Sequence, residues 1–241
     1  MIVQACINGA RPEGYHPSLP LTPKAMADDA ADCVRAGAAE LHIHPRDPAG
    51  RESLAAVDET VAAVRQACPG TLAGISTGAW IENDGDRTLA AIAAWRVLPD
   101  YASVNLSEPA APAVMEALRK RGVGIEAGLA TVADAERLVG LAGHDRILRM
   151  LVELDSGTFE AGTETVEGVA TVLAGAGLRK PILLHGADAT LWPFVDMAFA
   201  RRWSTRVGLE DGDTLPDGTR APGNAAMVAA AVARRATIST R

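Results

Sequence analysis

The 241-residue chain is 48% hydrophobic and 22% charged, a composition typical of a globular protein with room for one large α/β domain or two small ones. Its formal net charge is −7 and its basic residues are scattered along the sequence, which argues against a nucleic-acid-binding protein. No stretch approaches about 18 uninterrupted apolar residues, so we expect no membrane partner.

The cysteines and the first residues of the chain indicate its cellular compartment. Cys6, Cys33 and Cys68 are widely spaced and form no Cys-x-x-Cys pair, which is typical of buried thiols in a reducing environment. Residues 1–8 are apolar but lack the charged segment that opens a secretion signal. We therefore expect a cytoplasmic protein. No linker-like stretch interrupts the sequence, which predicts a single domain over residues 1–241.

Strand-like and helical segments alternate in chain order, beginning with an apolar stretch and a helix that Thr22 and Pro23 open. The predicted strands are residues 2–7, 41–44, 72–76, 101–105, 124–127, 147–154, 181–185 and 204–209. The predicted helices are residues 25–36, 53–67, 85–96, 112–121, 132–141, 163–176, 187–201 and 223–235. Eight strand–helix units in a chain of this length predict an α/β fold, a (β/α)8 TIM barrel. An open doubly wound sheet is the alternative, but no Gly-x-Gly-x-x-Gly follows the first strand.

The second predicted strand ends in two histidines. In a β-strand alternate side chains share a face, so His42 and His44 point the same way, about 7 Å apart along the strand. Pro45 ends the strand, which places the pair at its C-terminal end, where parallel α/β folds carry their chemistry. Two imidazoles so placed can bind one divalent metal. The structural alternative is a pair of core histidines bonded to neighbours, although unsatisfied imidazoles are costly to bury.

A catalytic metal held by two imidazoles needs a third protein ligand and an open position. Glu210 follows the eighth predicted strand, and in a closed barrel the end of any strand is within side-chain reach of the central cavity. Two histidines and a carboxylate suit zinc, with iron or manganese possible. The alternative for residues 210–213 is an acidic solvated loop.

Motifs in a fixed order across nearly the whole chain carry a family resemblance. They are Ile7-Asn8-Gly9-Ala10, Leu19-Pro20-Leu21-Thr22-Pro23, Ala36-Gly37-Ala38, His42-Ile-His44-Pro-Arg46-Asp47, Ile75-Ser76-Thr77-Gly78, Ala102-Ser-Val-Asn105 and Arg206-Val-Gly-Leu-Glu210-Asp211. In these motifs the chain resembles the β-keto acid cleavage enzymes, the family of the 3-keto-5-aminohexanoate cleavage enzyme. The resemblance implies a zinc-dependent (β/α)8 transferase that converts a β-keto acid and acetyl-CoA into acetoacetate and a new acyl-CoA.

The resemblance also implies roles for individual residues. His42, His44 and Glu210 match the zinc ligands, and Asp211 with Arg206 matches the acid–base pair. Ser76 matches the catalytic serine, and Ser103 stands where the family has a substrate-contacting threonine. The other residues that we assign to substrate binding are Thr77, Gly78, Asn105, Arg11 and Glu126. Glu126 could instead orient a ligand histidine. Family members are oligomeric, so we expect a homo-oligomer.

Two departures from the family pattern concern substrate choice. The family glutamate after the first strand, which contacts the amino group of the type member's substrate, is Arg11 here. An arginine there would suit a second carboxylate or a phosphate of CoA. The Pro-Gly-Gly loop after the sixth strand is replaced by residues 154–160, and the chain is shorter than its family by a few tens of residues, which weakens the expectation for CoA recognition.

Two other functions remain open from the sequence. A His-x-His strand end also begins the site of barrel metal-dependent hydrolases, but that family places the pair on its first strand and needs further histidines on strands five and six. A metal-binding paralogue without this activity is the other alternative. His185, at the end of the seventh predicted strand, is compatible with either a site residue or a core histidine.

Overall fold

The computed structural model describes residues 1–154 and 157–239 and shows a closed barrel of eight parallel strands. Each strand pairs with its neighbours in chain order, and β1 pairs with β8 to close the ring. The strands are β1 Val3–Cys6, β2 Glu40–Ile43, β3 Leu72–Ser76, β4 Tyr101–Asn105, β5 Gly124–Leu129, β6 Arg149–Leu154, β7 Ile182–Gly186 and β8 Ser204–Val207. The predicted (β/α)8 TIM barrel is confirmed.

The helices surround the barrel and connect consecutive strands. They are α1 Pro23–Arg35, α2 Val57–Ala67, α3 Ala79–Glu82, α4 Gly85–Ala94, α5 Ala111–Lys120, α6 Val132–Gly140, α7 Phe159–Gly175, α8 Leu191–Ala200 and α9 Asn224–Ser239. As predicted, Thr22 caps α1: its hydroxyl accepts a hydrogen bond from Ala25 N at 3.2 Å, and Pro23 occupies the first turn. None of the helices in the described ranges is long and apolar enough to cross a membrane.

Several predicted boundaries differ from the structure for local reasons. α3 was not predicted, because four residues are too few to show helical periodicity. The predicted helix at 53–67 is a 3-10 turn, Leu54–Ala56, followed by α2. β5 continues to Leu129, since Gly128 and Leu129 still pair with β6, although a glycine weakens the sequence signal of a strand. Asp155 and Ser156 of the loop after β6 lie outside the described residues.

The apolar core lies between the barrel and the helices, whereas much of the barrel interior is polar. Tyr101 of β4 fills the interior against Gly74 of β3, where an added Cβ would stand 2.0 Å from the tyrosine ring. The Tyr101 hydroxyl donates to Leu41 O at 2.7 Å and accepts from Gln4 Nε2 at 2.8 Å. Above this layer the strands open into the polar cavity described next.

Candidate metal centre and active-site cavity

Asn8, in the loop after β1, holds the two histidines at the end of β2. Its Oδ1 accepts a hydrogen bond from His44 N and its Nδ2 donates to His44 O, both at 2.9 Å. These bonds continue the β1–β2 pairing past Ile43, so strand alternation keeps both imidazoles on the inner face. His42 Nε2 lies 3.2 Å from His44 Nε2, and both side chains are almost fully buried.

Glu210, in the turn after β8, reaches the same point. Its Oε1 lies 3.3 Å from His44 Nε2 and its Oε2 lies 3.8 Å from His42 Nε2. Two glycines make this approach possible. Gly9 has φ +54°, and a Cβ there would stand 2.4 Å from Glu210 Cγ, while a Cβ on Gly208 would stand 1.9 Å from Cys6 O. A side chain at either position would push Glu210 away from the histidines.

These three residues fit a divalent metal. One donor atom from each lies within 4.8 Å of the others. The two Nε2 atoms face each other, and the buried Glu210 Oε2 makes no hydrogen bond within the described residues. Beside them, Glu210, Asp211 and Glu153 bring three carboxylates against one guanidinium, that of Arg206. A divalent cation would satisfy the facing lone pairs and balance the excess negative charge.

The surroundings of the three side chains set their protonation. Burial lowers the pKa of His42 to about 3, which keeps its imidazole neutral, the form that binds metals. Burial opposes protonation of His44 as well, but the Glu210 and Glu52 carboxylates outweigh it and raise the pKa to about 9. Burial also opposes ionisation of Glu210, yet Arg206 and the two histidines hold its pKa well below the usual value.

Arg206 joins Glu210 to a second group of ionisable side chains. Its Nη2 donates to Glu210 Oε1 and to Asp211 Oδ1, both at 2.8 Å, and lies 3.3 Å from Glu153 Oε2. His185 lies between the acids, with Nε2 3.1 Å from Glu153 Oε2 and Nδ1 3.4 Å from Asp211 Oδ1. Burial raises the pKa of Asp211 although Arg206 opposes the shift. Its second oxygen accepts a hydrogen bond from the Cys6 thiol at 2.7 Å.

A cavity of about 430 Å³ opens above these groups at the C-terminal ends of the strands. Most of the site residues predicted from the sequence line it: Arg11, His42, His44, Ser76, Ser103, Asn105, Arg206, Glu210 and Asp211. The lining also includes Trp80, Glu153 and Asp188. One wall therefore carries charged groups from β1, β2 and β8, and the opposite wall carries the hydroxyls and amide of β3 and β4.

Three residues that we assigned to substrate binding lie elsewhere. Thr77 is buried and donates its hydroxyl to Ser103 O at 2.6 Å, away from the cavity. Gly78 lies under the Trp80 ring, where a Cβ would stand 2.2 Å from the indole. Glu126 was expected at a strand end, but it is the third residue of the longer β5 and is fully buried. Its Oε2 lies 4.0 Å from His42 Nδ1. This location suits the alternative role given above, orienting a ligand histidine.

Arg11 reaches the rim of the cavity from the loop after β1. Its Nε donates to Glu210 O at 3.0 Å, its Nη2 pairs with Asp188 Oδ1 at 3.1 Å, and its guanidinium carbon lies 4.4 Å from the centre of the Tyr15 ring. The arginine that replaces the family glutamate is therefore fixed in place, with its charge beside the candidate metal centre.

Sequence reasoning missed several residues of the site. Glu153 carried a signal, since it pairs in register with His185 and lies on the inner face at the end of β6. Glu52 and Trp80 carried none, because their positions depend on how two loops meet. Glu52 Oε1 contacts His44 Nδ1, and Glu52 Oε2 accepts a hydrogen bond from Trp80 Nε1 at 2.9 Å.

The fold and this site define a (β/α)8 barrel with a candidate metal centre and a polar cavity at the C-terminal ends of its strands. The family model of the beta-keto acid cleavage enzymes matches residues 1–240. The chain belongs to the beta-keto acid cleavage enzyme family, as the motif resemblance implied.

Solved structures with the same fold include ObcA and a dehydratase. Apo ObcA is 19% identical with a TM-score of 0.69, and the alignment covers 93% of this chain and 62% of ObcA. The ternary complex of ObcA with a C4-CoA adduct and oxalate is 20% identical with a TM-score of 0.73, covering 93% and 64%. This chain thus spans less than two thirds of ObcA. The type I 3-dehydroquinate dehydratase from Clostridium difficile is 10% identical with a TM-score of 0.67, covering 100% of this chain and 93% of the dehydratase. At these identities the likeness shows the fold.

Proposed function

We propose that the chain is a zinc-dependent transferase that exchanges acyl groups between a β-keto acid and acetyl-CoA, giving acetoacetate and a new acyl-CoA. The observation that carries the proposal is the convergence of His42, His44 and Glu210 beside Asp211 and Arg206 under one cavity. A family match over residues 1–240 supports the same reaction class.

His42, His44 and Glu210 would hold the metal. Two neutral imidazoles and a carboxylate are a set of ligands that catalytic zinc sites use. When bound, zinc would act as a Lewis acid that polarises the keto carbonyl of the substrate.

Asp211 is the best-placed base. To give acetoacetate, the carbon between the keto and carboxylate groups of the β-keto acid must attack the acetyl carbonyl and release CoA, whose thiolate then takes the remaining acyl group as the old carbon–carbon bond breaks. The first step requires removal of a proton from that carbon, and Asp211 faces the cavity beside the candidate ligands. Its raised pKa suits this task, because a stronger base accepts a proton more readily. Arg206 fixes the Asp211 carboxylate through the hydrogen bond at 2.8 Å.

The opposite wall would orient the substrates. Ser76, Ser103 and Asn105 offer hydroxyl and amide donors for carbonyl oxygens. Arg11 and Arg206 are the cationic residues that line the cavity, and Arg206 already faces three carboxylates. We therefore assign the substrate carboxylate, or a phosphate of CoA, to Arg11.

ObcA supports the choice of substrates. It was solved in a binary complex with oxaloacetate, which is a β-keto acid, and in a ternary complex with a C4-CoA adduct and oxalate. A keto acid and a CoA ester are the two partners that we propose for this chain. We also propose that it acts as a single-domain homo-oligomer in the cytoplasm, and light scattering on the purified protein would test its oligomeric state.

The first experiment is elemental analysis of the purified protein beside the double variant His42→Ala, His44→Ala. We expect one zinc per chain in the wild type and none in the variant. The zinc-loaded wild type should then release acetoacetate from acetyl-CoA and a panel of β-keto acids. Metal retained by the variant, or a loaded enzyme inert towards the whole panel, would contradict the proposal.

A further inference from the structure

The Glu52 carboxylate contacts both the imidazole of a candidate metal ligand and an aromatic residue at the rim of the cavity. One carboxylate oxygen contacts His44 Nδ1, and the other accepts the indole N–H of Trp80 at 2.9 Å. Its side chain is only 10% exposed, whereas Trp80 is 45% exposed and lines the cavity. Glu52 thus lies between a buried imidazole and a half-exposed aromatic ring.

The loop that carries Glu52 is held firmly. Glu52 forms an antiparallel bridge with Arg46, and Ser53 N donates to Pro45 O at 3.0 Å. Inside the loop, Asp47 N donates to Arg51 O at 2.8 Å. The Arg46 guanidinium in turn donates to the backbone carbonyls of Gly9, Arg11 and Gly50. The backbone of Glu52 is thus fixed at several points, and its carboxylate is held by His44 and Trp80.

The contact with His44 decides which imidazole nitrogen can bind a metal. The Glu52 carboxylate keeps a proton on Nδ1, so Nε2, which faces Glu210 and His42, is the nitrogen that would give up its proton to a metal. Carboxylate partners of this kind orient ligand histidines and raise their basicity. His42 has a weaker equivalent, since Glu126 lies 4.0 Å from its Nδ1.

Trp80 is held from two sides at the other end of Glu52. Its ring covers Gly78, where a Cβ would stand only 2.2 Å away, so the indole packs directly on the backbone. Its N–H is committed to Glu52. The exposed part of the ring therefore forms an aromatic wall of the cavity, whose lining also includes Ser76 and His44.

We propose that Glu52 is a positioning residue that fixes His44 for metal binding and at the same time holds Trp80 as the aromatic wall of the cavity. The proposal rests on the metal centre of the proposed function. When zinc occupies Nε2 of His44, the Nδ1–H becomes a stronger donor to Glu52, and the Glu52 carboxylate becomes a weaker acceptor for Trp80. Metal occupancy is thereby sensed at the rim, where the organic substrate would enter.

The test is zinc titration by calorimetry on the full-length apo protein and on matched variants. Glu52→Gln keeps the shape but removes the charge, and we expect zinc to dissociate about 10–100-fold more readily. Glu82→Gln is the control, because Glu82 Oε1 joins the same two loops through Leu54 N at 3.0 Å without touching His44. Wild-type zinc affinity is expected in Glu82→Gln.

One further variant separates charge from geometry. Glu52→Asp keeps the charge but withdraws the carboxylate from His44 and Trp80, and we expect weakened zinc binding there too. If Glu52→Asp binds zinc as tightly as the wild type, any effect of Glu52→Gln comes from the lost charge alone. That result would overturn the positioning role of Glu52. If Glu52→Gln fails to fold, judged by circular dichroism, Glu52→Asp decides the question by itself.

Tryptophan emission reports on the contact between Glu52 and Trp80. Zinc should change the emission of the wild type, and Trp80→Phe should abolish the change. Of the other three tryptophans, Trp95 and Trp192 donate to backbone carbonyls and Trp203 packs against the Arg201 guanidinium, so none of them contacts Glu52. An equal change in Trp80→Phe, or wild-type zinc affinity in Glu52→Gln, would overturn the role of Glu52. A wild type that binds no zinc would instead overturn the metal centre.

Discussion

Two groups of buried charges lie at different heights in the same barrel. The upper cluster is His42, His44, Glu153, His185, Arg206, Glu210 and Asp211. The lower cluster is Glu40, Tyr101, Glu126 and Arg149, nearer the N-terminal ends of the strands. Both bury carboxylates and a guanidinium among strands, so burial alone does not distinguish a functional site from a structural one.

The lower cluster is matched within itself. Arg149 Nε donates to Glu126 Oε1 and Arg149 Nη2 to Glu40 Oε2, both at 2.5 Å. Its guanidinium carbon lies 4.8 Å from the centre of the Tyr101 ring. Although burial opposes the charge, the Glu126 carboxylate raises the pKa of Arg149 above its ordinary value. In this cluster a bidentate cation lies between two anions and leaves no room for a ligand.

The residues of the upper cluster do not satisfy all of one another's hydrogen-bonding groups. Within the described chain, four of its buried polar atoms have no hydrogen bond: His42 Nδ1, His185 Nδ1, Arg206 Nε and Glu210 Oε2. In the lower cluster, Glu126 Oε2 has none, and it faces His42 at 4.0 Å. The upper cluster also borders the cavity and directs three carboxylates at one guanidinium. Unsatisfied groups beside a cavity indicate a site that a ligand completes.

The largest expected effect comes from removing the charge of Asp211 in the upper cluster. Asp211→Asn keeps the shape and an oxygen for Arg206, so the fold and the bound zinc should remain. Without the base, turnover of the β-keto acid should fall by about 10²–10⁴-fold. Steady-state kinetics with elemental analysis of the same sample measures both quantities. If Asp211→Asn has the wild-type kcat, Asp211 takes no part in the reaction.

Breaking the lower cluster should affect stability. Arg149→Met leaves Glu126 and Glu40 without their cation, and removing one partner of a buried pair costs about 3–5 kcal/mol of unfolding free energy. Urea denaturation measures this loss. The double variant Arg149→Met, Glu126→Gln should recover part of it, because Glu126 is fully buried and would then carry no charge. Equal stability of wild type and Arg149→Met would show that the lower cluster is not structural.

Five residues of the upper cluster, His42, His44, Arg206, Glu210 and Asp211, could be placed together from the sequence because their signals are local. β3 and β4 have the predicted bounds, since short apolar runs between turn residues mark them clearly. Strand alternation placed His42 and His44 on one face, and barrel closure brought Glu210 to them. Strand ends alone did not suffice, since Thr77 and Gly78 follow β3 directly and lie away from the cavity.

The parts that the sequence did not predict depend on contacts between distant segments. Glu126 was expected at the end of a strand because Gly128 looked like a break, yet β5 continues past it against β6. Glu52 meets Trp80 only because the loop after β2 packs on α3, and a four-residue helix leaves no periodic pattern. Arg149 gave no sign that it lies between two acids, since strand residues pair across the barrel regardless of their spacing in the chain.

Zinc should stabilise only a chain with an intact upper cluster. Free zinc at about 100 times its dissociation constant should add about 2.7 kcal/mol to the unfolding free energy of the wild type. His42→Ala, His44→Ala should gain nothing, whereas Arg149→Met should gain the same amount from a lower starting point. Urea titrations with zinc and with a chelator measure the increments. A smaller increment in Arg149→Met would show that the two clusters are coupled, for example through Glu126.

Asp29 offers the smallest test, because this carboxylate has no cationic partner among the described residues. Burial raises its pKa to about 6, while hydrogen bonds from Asn224 Nδ2, at 2.8 Å, and from the Cys33 thiol oppose the shift. The folded chain therefore binds the proton more tightly than the unfolded chain, whose value is near 3.8. The free energy of unfolding should fall as the pH rises through the window between these two values. The shift corresponds to at most about 3 kcal/mol, and partial solvent access makes about 1 kcal/mol our expectation.

Asp29→Asn removes this ionisation and keeps an oxygen for Asn224. We expect the variant to gain stability relative to the wild type between pH 4 and pH 7, with the gain complete above pH 6. Urea denaturation of both apo proteins at each pH measures the difference, in which the titration of the other groups cancels. A difference that stays constant over this range would mean that Asp29 ionises as easily in the folded chain as in the unfolded one.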